Sequence, residues 1–148
     1  MTRRPAWVLA LSALTLLAAA ATAAADCAAD AARGVDWRRC RFDQYSLPGA
    51  DLSGALLRDA SFLRTDLSRA NLSHATAFRA KFVNTTLQEA TLDGGDFTEA
   101  DFTKADLLHA SLKGADLRRA RFYQATLTGA DLTGARSEEH TSELQSQR

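Results

Sequence analysis

The sequence predicts an all-β solenoid in which five residues form one side of a coil and twenty residues complete it. Three observations carry this reading. From Trp37 every fifth residue is large and apolar: Phe42, Leu47, Leu52, Leu57, Phe62, Leu67 and Leu72, then Phe82 through Leu132 at the same interval. The one exception is Ala77. Two positions before these residues, from Leu52 onward, the side chain is small, and from Ala50 to Ala135 that position holds fifteen Ala, two Thr and one Gly. Finally, Phe42, Phe62, Phe82, Phe102 and Phe122 recur every twenty residues. A period of five suits neither a helix nor a simple strand, because five steps of about 100° spread large residues around a helix instead of along one face. The pattern is satisfied when each unit turns one large and one small side chain inward and three outward, with every coil covering the last.

In chain order, residues 1–25 read as a secretory signal peptide. Arg3 and Arg4 begin it, Trp7 to Leu17 is apolar, and Ala23-Ala24-Ala25 is a small-residue cleavage site. A Sec or twin-arginine route and an uncleaved anchor are left open. Residues 26–34 form an N-terminal cap segment, in which Ala28 to Gly34 is expected to be a short helix. Cys27 and Cys40 are the only cysteines, and export into an oxidising compartment favours their pairing. Residues 35–135 are the solenoid, about five coils of twenty. Tyr45 at a small-residue position, followed by Pro48-Gly49, predicts an irregular first coil. At Ala77 the expectation is that Phe78 turns inward through a local distortion; the alternative is an exposed Phe78 beside a small void. Gly54, Gly94, Gly114 and Gly134 share one corner, where positive φ would favour them. Residues 136–148 depart from the repeat and resemble the translation of a sequencing-library adapter or a disordered tail, so the natural chain is expected to continue differently after Ala135.

Units such as Ala50-Asp51-Leu52-Ser53-Gly54, Ala105-Asp106-Leu107 and Ala130-Asp131-Leu132-Thr133-Gly134 resemble the A(D/N)LxX signature of the pentapeptide-repeat family. The resemblance implies a right-handed quadrilateral β-helix. It also implies a homodimer through the C-terminal coil, and it raises the reading of a nucleic-acid-mimicking inhibitor or protector of a DNA topoisomerase.

Between Asp26 and Ala135 there are 14 Lys plus Arg against 15 Asp plus Glu. That balance announces neither a nucleic-acid-binding surface nor a strongly acidic imitation of one. No catalytic, cofactor or metal site is expected. His74 and His109 fall on adjacent sides almost two coils apart, and His140 lies in the tail. Asn71-Leu72-Ser73 and Asn84-Thr85-Thr86 match a glycosylation pattern that is frequent by chance. Outward residues also stack every twenty positions. Asp59, Arg79, Glu99 and Arg119 alternate in sign, which reads as a solvated face. Leu63, Val83, Thr103 and Tyr123 form an apolar-rich column, with Phe78 on the preceding side, and make the best candidate contact patch. The sequence thus predicts a bacterial, periplasmic or secreted, non-catalytic structural or protein-interaction module, without nucleic acid as ligand and without a membrane anchor once the signal is removed.

Overall fold

The computed structural model describes residues 24–137. The signal and tail readings therefore lie almost wholly outside the described residues. Within them the chain winds as a four-sided β-helix. Parallel bridges offset by twenty residues join every coil to the next, from Asp36 with Leu56 to Asp116 with Arg136.

The unit around Phe102 shows why five residues make a side. Asp101 N–H donates back to Ala80 O at 2.9 Å, while Phe102 and Lys104 donate forward to Arg121 O and Tyr123 O at 2.7 and 2.8 Å. Ala105 N–H closes the turn onto Phe102 O at 2.9 Å. The fifth donor, Thr103 N–H, goes to Asp101 Oδ1 at 3.0 Å. All five N–H groups are satisfied, as a solenoid backbone demands. The repeat's Asp or Asn is thus the acceptor for the one amide that the coils cannot reach, a local Asx interaction. The same cap recurs at Asp51, Asp66, Asn71, Asp96 and Asp131. Where serine replaces it at Ser61 and Ser111, a carboxylate of the preceding coil substitutes: Asp43 accepts from Leu63 N–H, and Asp93 from Lys113 N–H.

The interior is the predicted stack of ladders. Phe62, Phe82, Phe102 and the leucines of the middle coils are fully buried, and the alanines between them nearly so. Successive rings of the phenylalanine side lie 5.6, 5.2, 5.0 and 4.9 Å apart from Phe42 to Phe122, within 17° of parallel. Thr65 and Thr85 enter the small position by donating their hydroxyls to Phe42 O and Phe62 O at 2.6 and 2.5 Å.

At Ala77 the structure corrects the sequence expectation. Ala77 is fully buried and its turn closes regularly, Ala80 N–H to Ala77 O at 3.0 Å. Phe78 stays outside, half-buried beneath the guanidinium of Arg58 at 4.8 Å. Phe97, one coil on from Ala77, leans instead: its ring lies 6.1 Å from Phe82 and 5.8 Å from Phe102, between two levels of the phenylalanine ladder. Gly95 permits this, because a Cβ there would lie 2.5 Å from Phe97 Cε2. The lone glycine at a small position is therefore a partner of Phe97.

Three further expectations change. The positive-φ corner is not confined to one side: it recurs at every fifth residue from Gly34 to Gly134, and 14 of those residues are not glycine. Each such residue follows the central residue of the side by two, the position of a type II turn that needs positive φ. The first coil is regular, since Tyr45 N–H closes on Phe42 O at 3.2 Å and Ser46 bridges Asp66. Tyr45 departs only in its side chain, which is 55% exposed and set edge-on to Phe42. The cap segment holds no helix: residues 24–32 form turns and bends, and Gly34 already donates to Ser53 O at 2.8 Å. Its cover comes from Ala29 O, which accepts from Trp37 Nε1 at 3.2 Å, and from the Cys27–Cys40 disulfide.

Gly95→Ala is expected to lower stability by about 1–3 kcal/mol through overpacking. Adding Phe97→Leu should recover part of that loss, and a double-mutant cycle with no coupling would show that the glycine and the ring are independent. Acid should act through the caps. The Thr133 hydroxyl and N–H, aided by Lys113, hold Asp131 down to about 2. Asp43, Asp51 and Asp66 are lowered chiefly by hydroxyls of Ser61, Ser53 and Ser68. A depressed carboxyl stabilises the fold above its unfolded pKa and ceases to do so as pH falls through its folded one. The melting temperature should thus hold down to about pH 5 and fall towards pH 2. Thr133→Ala should move the Asp131 titration upward by NMR, and an unchanged curve would refute the cause given.

A candidate contact face on the phenylalanine side

Charged groups meet here only on the outside of the rod. Among the described residues no group of three His, Cys, Asp or Glu side chains is placed to hold a metal ion, and no helix is long and apolar enough to cross a membrane. The disulfide takes both cysteines. His74 and His109 do not converge. Each ring lies over a glycine of the next coil: a Cβ on Gly94 would sit 2.8 Å from the His74 ring, and one on Gly129 would sit 2.3 Å from His109 Nδ1. Two corner glycines thus answer to a histidine twenty residues earlier, a relation visible only once coil length is known.

The surface with the most varied chemistry covers the phenylalanine ladder. Its outward residues come in rows set by the parallel bridges, Ser61 with Lys81, Lys81 with Asp101, and Asp101 with Arg121. Each row gains a corner residue on one edge and the residue after the phenylalanine on the other. The rows therefore read Asp59, Ser61, Leu63; Arg79, Lys81, Val83; Glu99, Asp101, Thr103; and Arg119, Arg121, Tyr123. A shallow groove runs along the first two columns, lined by Asp59, Arg79, Lys81, Glu99, Asp101, Arg119 and Arg121. Opposite charges pair along it: Arg79 with Asp59 at 3.5 Å, Arg119 with Glu99 at 3.5 Å, and Arg121 with Asp101 at 3.6 Å. These exposed pairs contribute about 0–1 kcal/mol each.

Along the far edge Leu63, Val83 and Thr103 are half-buried and Tyr123 is 64% exposed. The structure thus brings Leu63, Val83 and Tyr123 together as one column. Phe78 does not join them. It sits at the opposite corner, enclosed by Arg58 and, at 5.8 Å, Arg79. The grouping of charge into rows of one sign was missed in the sequence, where the column containing Lys81 and Asp101 was not set beside that containing Arg79 and Glu99.

Comparison with known proteins bears on this geometry. The family model described as pentapeptide repeats matches in 8 copies, at residues 38–73, 46–82, 80–119 and 103–136. A search of curated proteins finds no match. Among solved structures, a pentapeptide repeat protein from the Arabidopsis thaliana thylakoid lumen is 26% identical, with a TM-score of 0.68 over 73% of this chain and 75% of that one. The pentapeptide repeat protein Rfr23 from the cyanobacterium Cyanothece 51142 is 23% identical, with a TM-score of 0.60 over 70% of this chain and 88% of that one. A pentapeptide repeat protein from Nostoc is 34% identical over 72% of this chain and 71% of that one, at a TM-score of 0.44. With the repeat, the right-handed four-sided coil and the family model in agreement, the chain belongs to the pentapeptide repeat family.

Proposed function

We propose that this chain is a non-catalytic rod that acts outside the cytoplasm and binds a protein through its phenylalanine side. The observation that carries the reading is the column ending in Tyr123, 64% exposed beside Arg121, on a wall held rigid by stacked rings beneath. An exposed aromatic next to arginine is a common anchor of protein interfaces, and a rigid scaffold loses little freedom when it binds. The Cys27–Cys40 disulfide supports an oxidising compartment. So does the lumenal origin of the Arabidopsis protein. The competing topoisomerase reading needs a continuous acidic surface, and rows such as Arg79-Lys81 and Arg119-Arg121 interrupt it on this side.

A photo-crosslinking residue placed at Tyr123, and separately at Thr91 on another side, tests the contact face in cells expressing the chain. Adducts to a discrete protein from position 123 and none from 91 are expected. Equal adducts from both, or none from either, would refute a directed contact face. Thiol labelling of the unreduced protein tests the compartment: no label before reduction and two thiols after it are expected, whereas free thiols in the native protein would oppose export.

A further inference from the structure

The rows of the phenylalanine side alternate in sign along the axis: one carboxylate at Asp59, two cations at Arg79 and Lys81, two carboxylates at Glu99 and Asp101, two cations at Arg119 and Arg121. Alternation is already used within the chain, where neighbouring rows pair at 3.5–3.6 Å. It also has a consequence between chains. When an identical face is laid against this one about a two-fold axis perpendicular to the rod, each column meets itself in reverse order. With the axis between the second and third rows, Asp59 faces Arg119, Arg79 faces Glu99, and Lys81 faces Asp101. Ser61 faces Arg121, Leu63 faces Tyr123, and Val83 faces Thr103. No like charges oppose one another, and Tyr123 gains an apolar partner. About a two-fold axis parallel to the rod the central column would meet itself row by row, Lys81 on Lys81 and Asp101 on Asp101, which is repulsive.

We infer that the phenylalanine side is self-complementary and that its partner is a second copy of this chain, packed side by side and antiparallel. This rests on reading that side as a contact face. Among the described residues Lys81 makes no ion pair within its own chain, which leaves its ammonium available to Asp101 of the other copy. The second leucine side also alternates in charge, through Asp51, Arg69, Asp93 and Lys113, but presents no large apolar side chain among its outward residues. Coils about 4.8 Å apart and residue steps of about 3.3 Å make this four-row strip less than about 20 Å by about 13 Å, roughly 260 Å² per copy against about 800 Å² per partner. That is below the size of a standard stable interface, so the association is weak, reversible and screened by salt.

The test uses two charge reversals at corner positions, neither of which caps a backbone amide. In Arg79→Glu, the new carboxylate faces Glu99 of the other copy; in Glu99→Arg, the new guanidinium faces Arg79. Sedimentation equilibrium of the wild-type chain at low ionic strength should show a monomer–dimer equilibrium that shifts to monomer in about 0.5 M salt. Each variant alone should dimerise about tenfold or more weakly. An equimolar mixture should regain dimer, because R79E then meets E99R in both symmetric contacts. Recovery in the mixture also shows that both variants are folded, and charge pairing within one chain cannot produce it. Four results would overturn the inference. They are a wild-type monomer at all concentrations up to about 1 mM, a dimer indifferent to both reversals (as association through the coil ends would be), a mixture no more associated than its components, or larger open-ended assemblies in place of a dimer. A wild-type monomer that still gives face-specific adducts at position 123 would sink the dimer and leave the contact face standing.

Discussion

Everything in this molecule depends on the twenty-residue register between coils, and that register is held from two directions. Backbone amides donate alternately to the coil before and the coil after, so a slip of one residue would break every bridge at once. The interior enforces the same register by shape, since each side admits one bulky and one tiny group. Dense packing makes that requirement strict. The ladder alone would accept many sequences; the filled interior selects those that repeat in fives.

The same constraint decides where chemistry can occur. Among the described residues, side chains that point inward are apolar, or are threonines bonded to a carbonyl, so titratable groups lie on the exterior. There many carboxylates serve first as acceptors for turn amides and second as partners for a cation on a neighbouring row. A surface of this kind offers pattern instead of reactivity. Its information lies in which signs and shapes succeed one another along the rod, and recognition by such a surface is a matter of matching rows.

Much of this architecture was legible from the residues. The spacing of five and the ladder of phenylalanines every twenty specified geometry directly, because each reflects a periodic constraint that local sequence must obey, whereas the cysteine pair was read from the expected compartment. What was not legible arose from relations across coils. Phe78 stays outside under Arg58, while Phe97, twenty residues on from Ala77, leans between two levels of the ladder where Gly95 makes room. The histidine rings over Gly94 and Gly129 are of the same kind. The cap lacks a helix because Asp26 N–H bonds to Asp36 O at 3.0 Å, which ties the segment to the coil from its first residues. On the surface, individual columns were readable, but the contact face emerges only when columns are set side by side.

The corners carry one more implication. Arginine, lysine, glutamate, glutamine, histidine, asparagine and aspartate all occupy the same left-handed backbone position along this chain, beside seven glycines of which two lie under a histidine ring. None of those side chains enters the interior, so exchanging one for another leaves the winding of the coil untouched. The rod therefore behaves as a ruled scale with a writable mark at each step, on which the lettering can be revised while the ruler itself stays the same.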